Sequence, residues 1–396
     1  LSNKNNDIRI IPEEELEEVN ERVKKHKRKV HIRNACIVLV LLLLLGGSYL
    51  LVHYSTYTRV RTISLYNNEH TDESAYAQFL NGVLEYSKDG VVFLNKKAKE
   101  VWNQPYEMKN PIITLGKESA AIGDKGGNKI LVLDKDGLKG EIKTTAPVEK
   151  ITVSDQGIVC AVLTNDNSPE IICYDSVGNP LVEHKASLKK TGYPVDATIS
   201  PNGKTLLISY LNVEEKKLVT TVRYYSFRGE GEKDVEKGVS QAERVYEDTV
   251  VPSVFFMKGD VSVHVGDNQM SMIKGVKSLK EEKTITFKEQ IYSVVNNENY
   301  VGLILKSKSG YELQLYDRTG KKILEKSIDE EYTNIKLVGN QVIMYDGVKC
   351  AIIMKDGVVK FEGNTEQQIY EIFPVLGINK YIIVRDQGLE LTRLVK

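Results

Sequence analysis

Few residues of this chain have both the type and the spacing that chemistry needs. Six histidines are scattered over 396 residues, at His26, His31, His53, His70, His184 and His264. None stands in an H-E-x-x-H arrangement and no C-x-x-C occurs, so no metal-ligand set is nominated. Neither G-x-S-x-G nor G-x-x-x-x-G-K-[ST] is present, which leaves no nucleophile elbow and no phosphate-cradling loop. Asp134-Lys135-Asp136-Gly137 pairs two acids with a glycine, as a calcium loop does, but the twelve-residue ligand pattern is missing. A hairpin turn is the better reading. The sequence therefore nominates no catalytic, cofactor-binding or metal-binding residue, and an enzyme is not expected.

The four cysteines divide by position. Cys36 stands at the start of an apolar run, where it is a plain membrane residue or an acylation site; Cys350 reads as a buried strand residue. Cys160 and Cys173 lie on IVCAVL and EIICYD, joined by TNDNSP. If Asp166-Asn167 is the centre of that hairpin, the two cysteines fall directly opposite each other. Cross-strand partners come close enough for a disulfide, and an oxidising location permits one. The demanding geometry favours two packed thiols, and a disulfide is the alternative.

The elements that position these residues begin with ACIVLVLLLLLGGSYLLV (Ala35–Val52), 18 residues without a charge. As a helix it covers about 27 Å, close to the hydrocarbon thickness of a bilayer. Arg22, Lys24, Lys25, Lys27, Arg28, Lys29 and Arg33 precede it, whereas only Arg59 and Arg61 follow closely. That asymmetry predicts a cytoplasmic N-terminus and an extracytoplasmic body. The leader is longer than a signal peptide's and no A-x-A site follows, so an uncleaved single-pass anchor is expected, with residues 35–54 as the span. Residues 1–34 form a cytoplasmic tail, acidic over 12–21 and basic over 22–33. Leu16, Val19, Val23, His26 and Val30 recur at heptad-like spacing, but the simpler reading is a solvated helix whose lysines meet anionic headgroups of the bilayer.

Beyond the span the chain is close to neutral, with no electrostatic footprint for nucleic acid. It repeats. A β run, a polar turn and a second β run recur as VVFLNKKAKEVW (91–102), ILVLDKDGLKGEI (130–142), IICYDSVGNPLVE (171–183), RYYSFRGEGEKDVE (223–236), LQLYDRTGKKILE (313–325) and AIIMKDGVVKFEG (351–363). SMIKGVKSL (271–279) is a weaker copy and LELTRLVK (389–396) the last. Marks at Asn95, Asp134, Asp175, Ser226, Lys274, Asp317, Lys355 and Thr392 stand about 42 residues apart, the size of one four-stranded propeller blade. The expected fold is an all-β propeller over residues 58–396, with eight blades favoured and seven as the alternative. The last copy lacks an outer strand, and an open edge is an aggregation hazard. TRVRTISLY (58–66) is expected to close the ring. VIMYDGVKCAII (342–353) reads as one hairpin around Asp346-Gly347.

FLNKKAKEVW, YDSVGNPLVE and YDRTGKKILE resemble blades of quinoprotein-type propellers, and ATISPNGKTLLISYL (197–211) resembles the strand pair of Tol-type and WD-repeat blades. With EVWNQPYEMKNPII (100–113), YYSFRGEGE (224–232) and VPSVFFMKGDVSVHVGDN (251–268), the chain is similar to a family of uncharacterised single-pass bacterial membrane proteins, mainly from Firmicutes, that carries a domain-of-unknown-function label. The resemblance implies an anchored propeller and brings no activity with it. Quinoprotein enzymes repeat a tryptophan in nearly every blade; here Trp102 stands alone, so no quinone cofactor is expected. The functional expectation is a binding or scaffold module for a protein or cell-envelope partner, with no small-molecule cofactor. Its binding surfaces are sought in GYPVDATISPNG (192–203) and in the polar insert 226–248. A transmembrane sensor, or an envelope hydrolase or lyase with channel carboxylates, is the alternative.

Overall fold

The repeat has a local cause that is visible at its marks. In four blades, where the third strand ends, an Asn or Asp side chain turns the chain back. Oδ1 of Asn95, Asp134, Asp175 and Asp317 accepts the backbone N–H two residues on, from Lys97 (2.8 Å), Asp136 (2.8 Å), Val177 (3.0 Å) and Thr319 (2.9 Å). This side-chain mimic of a backbone turn suits these residue types, and the flanking Val, Ile, Leu and Tyr suit a pleated surface packed on both faces. The computed structural model describes residues 13–67, 70–71, 73–164, 168–188, 190–226, 240–276, 278–308 and 310–396.

Two units compose the chain, residues 1–55 and 56–396. The first contains one helix, α1 (Glu13–His53). Its polar half carries i,i+4 ion pairs, Arg22 with Glu18 and Lys25 with Glu21, and its apolar half is exposed leucine on every side. By length and composition α1 can cross a membrane.

The second unit is an eight-bladed β-propeller, each blade an antiparallel sheet of four strands. Blades 1 to 7 cover 75–105, 111–143, 148–185, 193–247, 253–286, 290–328 and 334–364, and their strands pair in chain order from the channel outward. The weak copy around Lys274 is a full blade. Blade 8 is composite: its three inner strands lie in 371–395, and β1 (Arg59–Asn67) is its outer strand, paired antiparallel to Gly388–Val395 from Arg59↔Val395 to Asn67↔Gly388. The first strand of the unit thus covers the edge left by the last.

Hydrophobic cores lie between blades. Val132 and Ile142 of blade 2 meet Val159, Ala161 and Ile172 of blade 3, and Met270 and Met272 of blade 5 meet Val301 and Leu303 of blade 6. Each fully buried aliphatic side chain of this kind contributes about 1.5–3 kcal/mol relative to exposure. At the rim, Trp102 Nε1 of blade 1 donates to the Lys135 carbonyl of blade 2 (3.1 Å), and its ring covers Gly137, whose φ of +114° suits a residue without Cβ. The turns that follow the inner strands are stitched into one face of the disk. Lys117 N donates to Asp155 Oδ1 (2.7 Å), Asp155 N to the Pro201 carbonyl (2.9 Å), Lys258 N to the Glu298 carbonyl (2.8 Å), and Asn297 Nδ2 to the Gly339 carbonyl (2.9 Å).

Three sequence expectations are corrected. GYPVDATISPNG is a surface turn only at its end, over 200–203: Tyr193–Ile199 is the inner strand of blade 4, with Ala197 and Ile199 in the core. Its proline is tolerated because an inner strand is an edge strand, and Pro194 sits at a register shift there. Within the polar insert, Ala242–Glu247 is an outer strand, while 227–239 lies outside the described residues. The 342–353 hairpin turns on Gly347-Val348, one residue later than expected, since Asp346 pairs with Lys349 and Gly347 takes the positive φ of +58°.

Candidate functional site

The channel rim is where carboxylates from several blades would have to converge for hydrolysis. Three acids are found on the inner strands, and each is committed. Glu149 of blade 3 pairs with Lys125 of blade 2 (2.8 Å). Asp196 of blade 4 pairs with Lys150 of blade 3 and also accepts the Val254 backbone N–H of blade 5 (2.7 Å). Glu371 of blade 8 receives Lys336 of blade 7 at Oε1 (2.7 Å), and the Lys336 ammonium lies 4.2 Å from the Phe373 ring centroid. Burial lowers the Lys336 pKa and raises that of Glu371, and the attraction between them opposes both shifts. These bridges tie neighbouring blades together. Among the described residues no group of three or more His, Cys, Asp or Glu is placed to hold a metal ion.

The histidines of the propeller serve packing. His264 is buried between blades 4 and 5, its Nε2 2.9 Å from Tyr224 Oη and its Nδ1 2.8 Å from Tyr246 Oη. Burial, with help from Arg244, pushes its pKa down to about 3, so it is neutral at any ordinary pH. Ser262 Oγ, 2.6 Å from Tyr224 Oη, completes the cluster. His184 stands 3.3 Å from Tyr225 Oη, and Tyr225 and Tyr210 pack in the same core as Cys160 and Cys173. His70 lies 3.3 Å from Tyr76 Oη, and His26, His31 and His53 are on α1.

Cys160 and Cys173 are register partners, and of the two states open to them the structure carries the disulfide. Cys36 and Cys350 are free; Cys350 is buried, which pushes its thiol up to about 12. Arg22, Lys24, Lys25, Lys27, Arg28, Lys29 and Arg33 are all exposed on α1.

A feature passed over in the sequence stands on the opposite face from the stitched turns. The two middle strands of blade 4, Thr205–Glu214 and Lys217–Ser226, run ten residues each, against five or six in blades 1 to 3. Their hairpin ends in Glu215-Lys216, both at positive φ (+48° and +68°). Near its tip Val213 and Leu218 are cross-strand partners and both exposed, Val213 at 65%. Tyr193 and Leu188, also exposed, lie by the start of the same blade, Tyr193 opposite Leu211. The available signal was the unbroken run TLLISYLNVEEKKLVTTVRYYS, too long for a strand pair of ordinary blade depth. The turns of this face are acidic, with twelve Asp and Glu against seven Lys and Arg among the described residues between strands. The exposed Val213 and Leu218 thus form an apolar ridge in an acidic field.

The chain belongs to the family of unknown function DUF5711, whose model matches residues 53–394. No curated sequence matches it. Among solved structures it is similar to BamB from Moraxella catarrhalis (12% identity, TM-score 0.50, covering 84% of this chain and 99% of that one). It is similar also to Sqt1 from Saccharomyces cerevisiae (12%, 0.54, 86% and 100%) and to the computationally designed protein Ika8 (11%, 0.52, 86% and 100%). At such identities the likeness is one of fold.

Proposed function

We propose that this chain is a membrane-anchored binding or scaffold module without catalytic activity. α1 is its single membrane span, the N-terminus is cytoplasmic, and the propeller presents its acidic face to an extracytoplasmic protein partner. The observation that carries this reading is the blade 4 hairpin. Val213 and Leu218 are paired, exposed and held on a ten-residue ladder, so a partner meets a preformed ridge at little ordering cost. The commitment of Asp196 and Glu371 to lysines argues against free acids for hydrolysis. The anchoring rests on α1 and the orientation on the seven basic residues before the apolar run.

The test is site-specific photo-crosslinking from Leu218 in the native membrane, compared with the same probe in a Val213→Asp background. A discrete protein adduct that falls at least tenfold in the variant supports the reading. An adduct unaffected by Val213→Asp, or none from this hairpin, overturns it. Alkaline carbonate extraction tests the anchor, and labelling of single cysteines in the tail and the propeller with an impermeant reagent tests the orientation.

A further inference from the structure

The face opposite the hairpin has the reverse charge and its own apolar points. It carries the turn after the first strand and the turn after the third strand of each blade. Among the described residues of those turns, ten Lys and Arg stand against seven Asp and Glu. The excess is concentrated. Lys96, Lys97 and Lys99 lie in one turn of blade 1, and Lys380 starts the second strand of blade 8. Together with Leu65, Leu376 and other residues they line a cleft of about 570 Å³ between the closing blade and the first. Among the described residues none of these four lysines forms an ion pair, although ion pairs are frequent elsewhere on the disk. Beside them the turn 375–379 holds up Leu376 (64% exposed) and Ile378 (59%), with positive φ at Gly377 and Asn379. β1 enters the propeller on this same face, since Arg59 lies opposite Val395 and Lys380 opposite Arg393.

We propose that this face seats on anionic phospholipid headgroups, with Lys96, Lys97, Lys99 and Lys380 on the phosphates and Leu376 and Ile378 in the interfacial layer. Aliphatic tips ringed by unpaired lysines suit a surface that is charged outside and apolar just beneath, and this pairing selects a lipid surface over a soluble polyanion. The opposite charge of the two faces orients the disk: the basic side is drawn to the bilayer and the acidic side, with its hairpin, is repelled from it. The inference rests on the anchored reading above and adds which face meets the membrane.

The full chain is reconstituted into nanodiscs of phosphatidylcholine alone or with phosphatidylglycerol, and lysine acetylation rates are read by mass spectrometry. Lys88, Lys109 and Lys216 on the other face serve as internal references. The expected result is acetylation of Lys96, Lys97, Lys99 and Lys380 at least fivefold slower in the anionic discs only, with the reference lysines unchanged. In a Leu376→Ser/Ile378→Ser variant the protection shrinks at unchanged melting temperature. Equal rates in both discs, protection of the reference lysines, or protection by soluble polyphosphate in detergent but not by anionic discs overturns the proposal. Failure of α1 to insert into either disc overturns the anchored reading, and this inference with it.

Discussion

His264 is a buried titratable residue held between two tyrosines of the neighbouring blade. Its folded-state pKa of about 3 lies well below the ordinary 6.5. Between these values the unfolded chain binds a proton that the native state refuses. The stability that His264 supports is therefore complete above about pH 6.5 and is lost as pH falls toward 3, by about 1.4 kcal/mol per pH unit. Melting temperature is expected to drop from pH 6.5 to pH 4.5, and His264→Gln, whose amide can still bond to a tyrosine, is expected to flatten that drop. Parallel curves for the two proteins would count against this account. At the same scale, thiol titration of the unreduced, denatured protein should find two free thiols, Cys36 and Cys350, and four after reduction. Cys160→Ala/Cys173→Ala removes a link across 13 residues and is expected to cost about 3 kcal/mol in denaturant unfolding. The opposed placement of those cysteines was legible because hairpin register is simple arithmetic. The burial of His264 was not, because its partners Tyr224 and Tyr246 come from strands of the preceding blade, and no local pattern marks which side chains face across two sheets.

At the scale of the element, the blade was legible because a β run, a polar turn and a second β run recur, and in four blades one short turn motif sharpens the repeat. The Asx turn needs Asn or Asp at one position, so the marks at Asn95, Asp134, Asp175 and Asp317 survive where the strands around them vary. What misled was turn-residue composition. The segment 192–203 is rich in Gly, Pro and Asn, yet 193–199 forms a strand, since the channel edge of an inner strand makes few demands on the backbone N–H. The blade 4 hairpin escaped notice for a related reason: alternation reveals that residues form strands, not how far a strand projects beyond its neighbours. β1 supports a sharper expectation. It is the outer strand of blade 8, and Thr62 Oγ1 donates to Glu390 Oε2 (2.8 Å) while Arg59 Nη2 donates to the Lys396 carbonyl (2.8 Å). Replacing residues 59–67 by a Gly/Ser linker of equal length exposes the edge of Gly388–Val395. The variant is expected to melt at least 10 °C lower and to self-associate by light scattering; a monomer of unchanged melting temperature would mean that blade 8 is stable with three strands.

The propeller is a ring, and a ring has no privileged starting blade. Each blade packs on two neighbours, so stability depends on nearest-neighbour interfaces and on their closure, more than on the order in which the chain visits them. The two ends of the propeller already meet: Arg59 is the register partner of Val395. A linker of about five residues from Lys396 to Thr56 should therefore close the circle without moving either strand. The place to open it is the hairpin tip of blade 4, where Glu215 and Lys216 are exposed and both hold a positive φ that non-glycine residues adopt at some cost. Cutting between them relieves that conformation and breaks no interface between blades. A propeller that begins at Lys216 and ends at Glu215 is expected to keep the native far-ultraviolet spectrum, to unfold in a single transition, and to melt within about 5 °C of the parent propeller. If it collapses instead, the closing strand acts as more than a cover for an edge: pairing of β1 with the final strand would have to be set by chain order, and the symmetry of the eight blades would be one of shape without being one of energy.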